Sequence, residues 1–338
     1  MPQDEPSSGA ASVQPKPSAT PYKDRSSGLI VFGVLTILLG CLAGLFVPLM
    51  LIGQVAAAKA TGASSPLSTM LPAMSIYGAL AVALVWLGIG SVMARRWARA
   101  LLVIFCWSWF IVGVFVLVFM LFLLPRMMTA MSAGAPAGQP AMPEAAMVMA
   151  MVFTGLIIGV FFVILPAVWT CFYSSRHVKA TCEARDPVAR WTDACPLPLL
   201  GFCLWLVLGS LTMLIMPLAG HGVMPFFGRF LAGLPGTLFC LAVAGSWGYG
   251  AWRLFRLDPR GWWLILITLG LVTASALMTY PRHDMIEMYR LMGYPEAQIE
   301  QIQKIGLLTG NGMMWLTGCS MVPFLGYLLF IKRYLGRK

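Results

Sequence analysis

The stretch ALLVIFCWSWFIVGVFVLVFMLFLL, Ala100–Leu124, decides the fold: it runs for 25 residues without Asp, Glu, Lys, Arg or His. A helix of that length exceeds the roughly 20 apolar residues needed to cross the hydrocarbon of a bilayer. Membrane strands are about 10 residues long and alternate in polarity, and no such alternation appears here. In hydrocarbon every backbone amide must find its partner inside its own segment, so the stretch is predicted to be a spanning helix.

Working outward, seven more runs free of charge and histidine appear: Gly28–Ile52, Ser75–Met93 and Met147–Tyr173 in the first half, and Leu197–Leu218, Phe230–Trp252, Gly261–Tyr280 and Ile305–Ile331 in the second. The whole chain agrees with them. Of 338 residues, 59% are hydrophobic and 10% charged, and the mean hydropathy is +0.82. A soluble domain carries roughly 25% charged residues, so this composition excludes a water-facing coat around a single core.

The formal net charge of +11 sits in short loops beside the apolar runs. That placement reads as membrane orientation and contact with anionic lipid, not as nucleic-acid binding. Counting the tails and alternate loops together puts 17 Lys and Arg on one side and 6 on the other. The positive-inside rule then makes both termini cytoplasmic. Residues 1–27, rich in Pro, Ser, Ala and Gln, are expected to be a disordered cytoplasmic tail with no cleavable signal. Six of the eight cysteines lie in apolar runs, and Cys182 and Cys195 fall in a cytoplasmic loop, so no disulfide framework is expected.

The halves resemble one another. Asp24, Gly40 and Pro48 recur as Asp193, Gly209 and Pro217; Gly88, Gly90 and Arg96 as Gly248, Gly250 and Arg256; Pro125 and Arg126 as Pro281 and Arg282; Gly155, Pro166 and Arg176 as Gly312, Pro323 and Arg333. A duplication of a four-helix unit explains these matches, and the alternative is the general abundance of Gly, Pro and loop Arg in membrane proteins. The expected fold is all-α, a polytopic bundle of eight transmembrane helices in two four-helix repeats. Its parts are the tail 1–27, units 28–173 and 197–331, a cytoplasmic linker 174–196 and a basic C-terminus 332–338.

Pro166 and Pro323 each remove a backbone donor, from the carbonyls of Phe162 and Cys319 respectively. The paired kinks either line a cavity, with Asn311 as its most polar neighbour, or are satisfied by adjacent helices. The Gly-x-Gly pairs are expected to allow close helix packing.

Chemistry is sparse. The eight runs hold no ionisable group of the kind that proton relays need. His177, His221 and His283 all lie in loops, and neither HExxH nor a phosphate-binding loop occurs. No enzyme activity, cofactor or metal is expected. His177, Cys182 and Cys195 lack compact zinc spacing. Met127, Met128, Met131, Met142, Met147, Met149, Met151, Met285, Met288 and Met292 sit on the outer side and suit Cu(I) or Ag(I), although 23 methionines in the chain also serve as apolar filler. The outer loop from His283 to Gln303 is expected to form two amphipathic helices. A polar cluster of Arg282, His283, Asp284 and Glu287 is predicted there, with His221 on the neighbouring outer loop.

The leading functional expectation is a non-enzymatic multi-pass protein of the bacterial inner (cytoplasmic) membrane. It would act by binding lipid or partner membrane proteins, including a homo-oligomer. The alternative is an uncoupled transporter or channel for a weakly polar solute between the repeats, and a minor alternative is soft-metal binding by the outer methionines.

Overall fold

The computed structural model describes residues 22–61, 71–133, 144–294, 296, 299–300, 303 and 310–335. The expected tail through residue 21, the loop containing Met142 and most of the second amphipathic segment lie outside the described residues.

The chain is an all-α membrane bundle. Its long elements are α1 (Ser26–Thr61), α2 (Leu71–Val92), α3 (Arg96–Ala133), α4 (Glu144–Gly159), α5 (Leu165–Ser174), α6 (Arg176–Arg185), α7 (Leu197–Gly220), α8 (Gly233–Phe255), α9 (Pro259–Thr279), α10 (Met285–Leu291) and α11 (Gly310–Lys332). A π-helical turn, Val160–Ile164, joins α4 to α5. Among the described residues, seven of the resulting helical rods are long and apolar enough to cross a membrane. The remaining long helix is α8. Its Gly-Ser-Trp-Gly-Tyr-Gly stretch, Gly245–Gly250, dilutes its hydropathy.

Side chains such as Val82, Val322 and Leu218 are 72%, 70% and 87% exposed. Water penalises such surface, whereas lipid tails are as apolar as the side chains themselves.

Helix starts follow capping rules. Asp24 accepts from the Ser26 amide before α1, Ser175 caps α6, and Asp258 caps α9 with Pro259 in its first turn. Small residues set the packing. Gly33 and Gly88 meet across α1 and α2, where a Cβ on either would crowd the other's carbonyl. Gly90 backs onto Trp97 and Ala98 of α3. In the second half Gly248 faces Ser210 of α7, and Gly250 backs onto Ile265 of α9. In each copy of the motif the first glycine thus faces the preceding helix and the second the following one.

Two apolar clusters form the core. One joins Leu29, Leu87, Leu102, Cys106, Trp169 and Tyr173; the other joins Leu199, Leu206, Leu254, Trp262, Ile265, Leu328 and Ile331. Polar bonds lock each cluster. Ser91 bonds the Leu29 carbonyl at 3.1 Å and the Tyr173 hydroxyl at 2.7 Å, and the Trp262 indole donates to the Leu328 carbonyl at 2.7 Å. The clusters meet where Gly201 of α7 packs on Ile104 of α3 and the Trp205 indole donates to Ser108. Tyr327 donates to the Pro198 carbonyl, so the end of α11 lies beside the start of α7. These contacts gather the starts of α1, α3, α7 and α9 and the ends of α2, α5, α8 and α11 at one end of the bundle.

The sixth run holds one departure from expectation. Phe230 and Leu231 belong to a strand, and α8 starts only at Gly233. Met224–Phe226 and Arg229–Leu231 form an antiparallel hairpin. Its two loop residues, Phe227 and Gly228, both have positive φ, 40° and 93°, the pattern of a tight primed turn. The Ser275 hydroxyl accepts from the Phe227 amide and the Thr279 hydroxyl from the Gly228 amide, both at 2.9 Å.

Pro166 follows the π-helical turn, in which Leu165 donates to the Val160 carbonyl five residues back. The Phe162 carbonyl, inside this turn, packs directly against the Gly113 backbone of α3, where a Cβ would overlap it. A Cα–H group pointing at a carbonyl is a weak favourable contact. Gly113→Ala is therefore expected to force α3 away from this turn and cost about 1–3 kcal/mol, read as a lower thermal midpoint in detergent. Gly270→Ala, where a Cβ meets nothing within 4 Å, is expected to leave the midpoint unchanged or raise it slightly. Equal losses for both would contradict this packing.

Candidate functional site at the basic end of the bundle

The segment expected to be a plain linker is folded. It comprises α6 and a 3-10 turn, Trp191–Asp193, and both pack on the start of α3. A tight turn through Ala94, at φ 52°, delivers Arg95 and Arg96 to this segment. Asp186 is 3% exposed. It accepts from the Arg96 amide at 3.4 Å and pairs with Arg95 at 3.8 Å and Arg190 at 3.3 Å. A carboxylate on the first amides of a helix is favoured by the helix dipole, so Asp186 ties the segment to the N-terminus of α3.

Beside this tie lies a cavity of about 360 Å³ between α3, α6, the 3-10 turn and the start of α7. Its wall includes Arg96, Arg99, Lys179, Glu183, Thr192 and Asp193, with Cys182 and Cys195. Arg96 pairs with Glu183 at 3.7 Å and Asp193 at 3.4 Å, and Lys179 pairs with Glu183 at 3.8 Å. The Arg99 Nε donates to the Tyr173 carbonyl at 3.0 Å. The Thr192 hydroxyl is buried and has no hydrogen-bond partner among the described residues. Burial pushes the Cys182 and Cys195 thiols up to about 11 each, so both are neutral near pH 7 and are poor nucleophiles or soft-metal ligands in that form. His177 lies outside the cavity wall, and its Nδ1 accepts from the Lys23 amide at 3.4 Å. Among the described residues no group of three or more His, Cys, Asp or Glu is arranged to hold a metal ion.

The residues predicted on the outer side fall at the opposite end. His283 bonds the Glu287 carboxylate at 2.9 Å through Nδ1 and the Gly228 carbonyl at 2.7 Å through Nε2. Asp284 caps α10, and the Arg282 guanidinium lies beside Gly228. His221 ends α7 in a left-handed conformation, with its imidazole beside Gly293. It forms no bond with the other four. Pro166 is buried, whereas Pro323 is exposed inside the unbroken α11 and Asn311 is exposed in its first turn. None of these three residues lines the cavity at the basic end.

In the sequence the arginines of this cavity read as orientation signals, and nothing in their spacing marks a cavity. A usable signal was present in Glu183, Asp186 and Asp193, three acids clustered in one loop of an otherwise basic side. No protein-family model, no curated protein and no solved structure matches the chain.

The outer histidine yields a pH prediction. Both of its partners are acceptors, so both ring nitrogens must donate, and only the imidazolium can do so. The Glu287 and Gly228 hydrogen bonds accordingly raise the His283 pKa above its ordinary 6.5. A raised pKa means the tie is complete below about pH 6.5 and is lost as pH rises through the folded-state value. Hydrogen exchange in α10 is expected to speed up over that window in the native chain and to show no such step in His283→Ala. A step that persists in the variant would contradict this assignment.

Proposed function

We propose that the chain is an eight-crossing protein of the bacterial inner membrane with both ends in the cytoplasm, acting without catalysis by binding anionic lipid and a partner span. The observation that carries this reading is the asymmetry of charge between the two ends. Among the residues whose side chains are described, the end holding the start of α1 has fourteen Lys and Arg against five Asp and Glu, while the opposite end has four of each. An excess of this kind marks the cytoplasmic face and attracts anionic headgroups, at about 1 kcal/mol per basic residue near the surface.

Aromatic rings lie under these cations. Arg256 sits over Trp252 at 4.3 Å, Lys332 over Trp262 at 4.6 Å and Arg333 over Phe330 at 3.7 Å. Rings of this type gather at headgroup depth. An eighth crossing by α8 is supported by its ends. Its start adjoins the hairpin bonded to the end of α9, and its last turn adjoins the start of α9, with Arg253 paired to Asp258 at 3.1 Å. Duplication is supported by the matched roles of the Gly88–Gly90 and Gly248–Gly250 pairs and by Gly40 and Gly209, each packed on the following helix.

A partner span or second copy is supported by α4. Gly155 and Gly159 form a Gly-x-x-x-Gly pair with nothing within 4 Å of either Cβ position, in a segment whose most apolar window is 0% buried. That spacing is a common helix-pairing motif in lipid.

The test is reconstitution of the full chain into nanodiscs of phosphatidylcholine alone or with phosphatidylglycerol. The thermal midpoint is expected to rise with anionic lipid, and the gain to shrink as salt increases. Equal midpoints in both lipids at low salt would contradict the lipid-binding reading.

A further inference from the structure

We infer that the cavity at the basic end is a binding site for a phosphodiester, held by the Arg99 guanidinium together with the Thr192 hydroxyl. The inference rests on the reading above that this end meets the cytoplasmic headgroup layer.

Charge at the cavity wall comes first. Arg96 and Lys179 are matched by Glu183 and Asp193, which they contact. Among the described residues Arg99 takes part in none of the ion pairs at this end. Its one bond, from Nε to the Tyr173 carbonyl, holds the plane of the group and leaves the two terminal nitrogens for a ligand. The wall thus holds Arg96, Arg99 and Lys179 against Glu183 and Asp193, one positive charge in excess, and a phosphodiester carries one negative charge. A planar guanidinium fork also fits two phosphate oxygens.

Thr192 is an independent observation. It lines the cavity and is 2% exposed, and its hydroxyl, closed to solvent, lacks a partner among the described residues, so a rotation about χ1 would bring it to a ligand. A buried hydroxyl in that state is unfavourable unless a ligand or solvent completes it. The N-terminus of α3 supplies no competing site, since Asp186 already occupies the Arg96 amide.

Size supports a diester over a bare ion. The volume of about 360 Å³ compares with about 30 Å³ for one water in the liquid, so the cavity admits a phosphate together with an alcohol substituent. The wall draws on α3 of the first half, on Cys195 of the linker and on Leu197 at the start of the second half, so an occupant would bridge the two halves.

The experiment uses the full chain in an uncharged, phosphate-free detergent. It is titrated with dioctanoylphosphatidylglycerol, with dimethyl phosphate and with dioctanoylglycerol, and the thermal midpoint is followed. The phospholipid is expected to raise the midpoint and dioctanoylglycerol to leave it unchanged. Arg99→Gln is expected to weaken the response about tenfold or more, and Arg99→Lys to fall between. Thr192→Val is expected to weaken it about threefold while leaving the ligand-free midpoint unchanged or higher. A purely structural threonine would lower that midpoint. A response to dimethyl phosphate with the same Arg99 dependence supports a soluble diester as the ligand, and a response to the phospholipid alone supports a lipid headgroup. The site is overturned if neither phosphate probe shifts the midpoint, or if Arg99→Gln and Thr192→Val both titrate like the native chain. A preference for anionic nanodiscs would survive that result. Conversely, an Arg99-dependent response to dimethyl phosphate without any nanodisc preference would sink the lipid reading and keep the site.

Discussion

Lipid offers no hydrogen bonds, and the rest of the structure depends on that constraint. An unpaired amide in hydrocarbon costs several kcal/mol, so the chain crosses as helices and departs from them only where a local partner exists. The hairpin between α7 and α8 leaves the amides of Phe227 and Gly228 outside its strand ladder, and the hydroxyls of Ser275 and Thr279 take both. The Phe162 carbonyl, in the π-helical turn before Pro166, is set against the bare Cα of Gly113. In both places a small or hydroxylated residue on a neighbouring helix answers an irregularity in the backbone.

The same constraint removes charge from the spans and concentrates it at the ends, where the two faces differ in kind. The basic face is knitted together by Asp186, Arg95, Arg96 and Arg190 and carries a cavity at the junction of the halves. The opposite face is balanced in charge among the described side chains, and there His283 and Glu287 join α10 to the hairpin. Individual surface ion pairs contribute little. The bonds centred on the nearly buried Asp186 are the ones that give the segment between α6 and α7 a defined position.

The helices were legible in the sequence because a run of about 20 uncharged apolar residues has few alternatives. Ala100–Leu124, Met147–Tyr173 and Gly261–Tyr280 all lie within observed helical rods, apart from Tyr280 at the boundary of α9. The hairpin was not legible. Its turn is Phe-Gly rather than Asn-Gly, and its strands are too short and too apolar to stand out from the run that follows. The packing role of Gly88 and Gly90 was readable from residue size, whereas their specific partners required the fold. The site was the least legible part. Arg96 and Arg99 come together with Lys179, Glu183 and Thr192 from positions more than 75 residues away, and no local spacing encodes that meeting.

The helix that decides the topology is α8, since a crossing there would keep both chain ends on one side. The direct measurement is a depth profile by spin-label accessibility to oxygen and to a water-soluble nickel chelate, with labels at Leu234, Leu238, Leu241, Gly245 and Tyr249 in a reconstituted bilayer. An eighth crossing predicts that depth is greatest near Leu241 and declines toward both ends. A profile that returns to water at only one end would make α8 re-entrant, part the two termini and contradict the paired architecture.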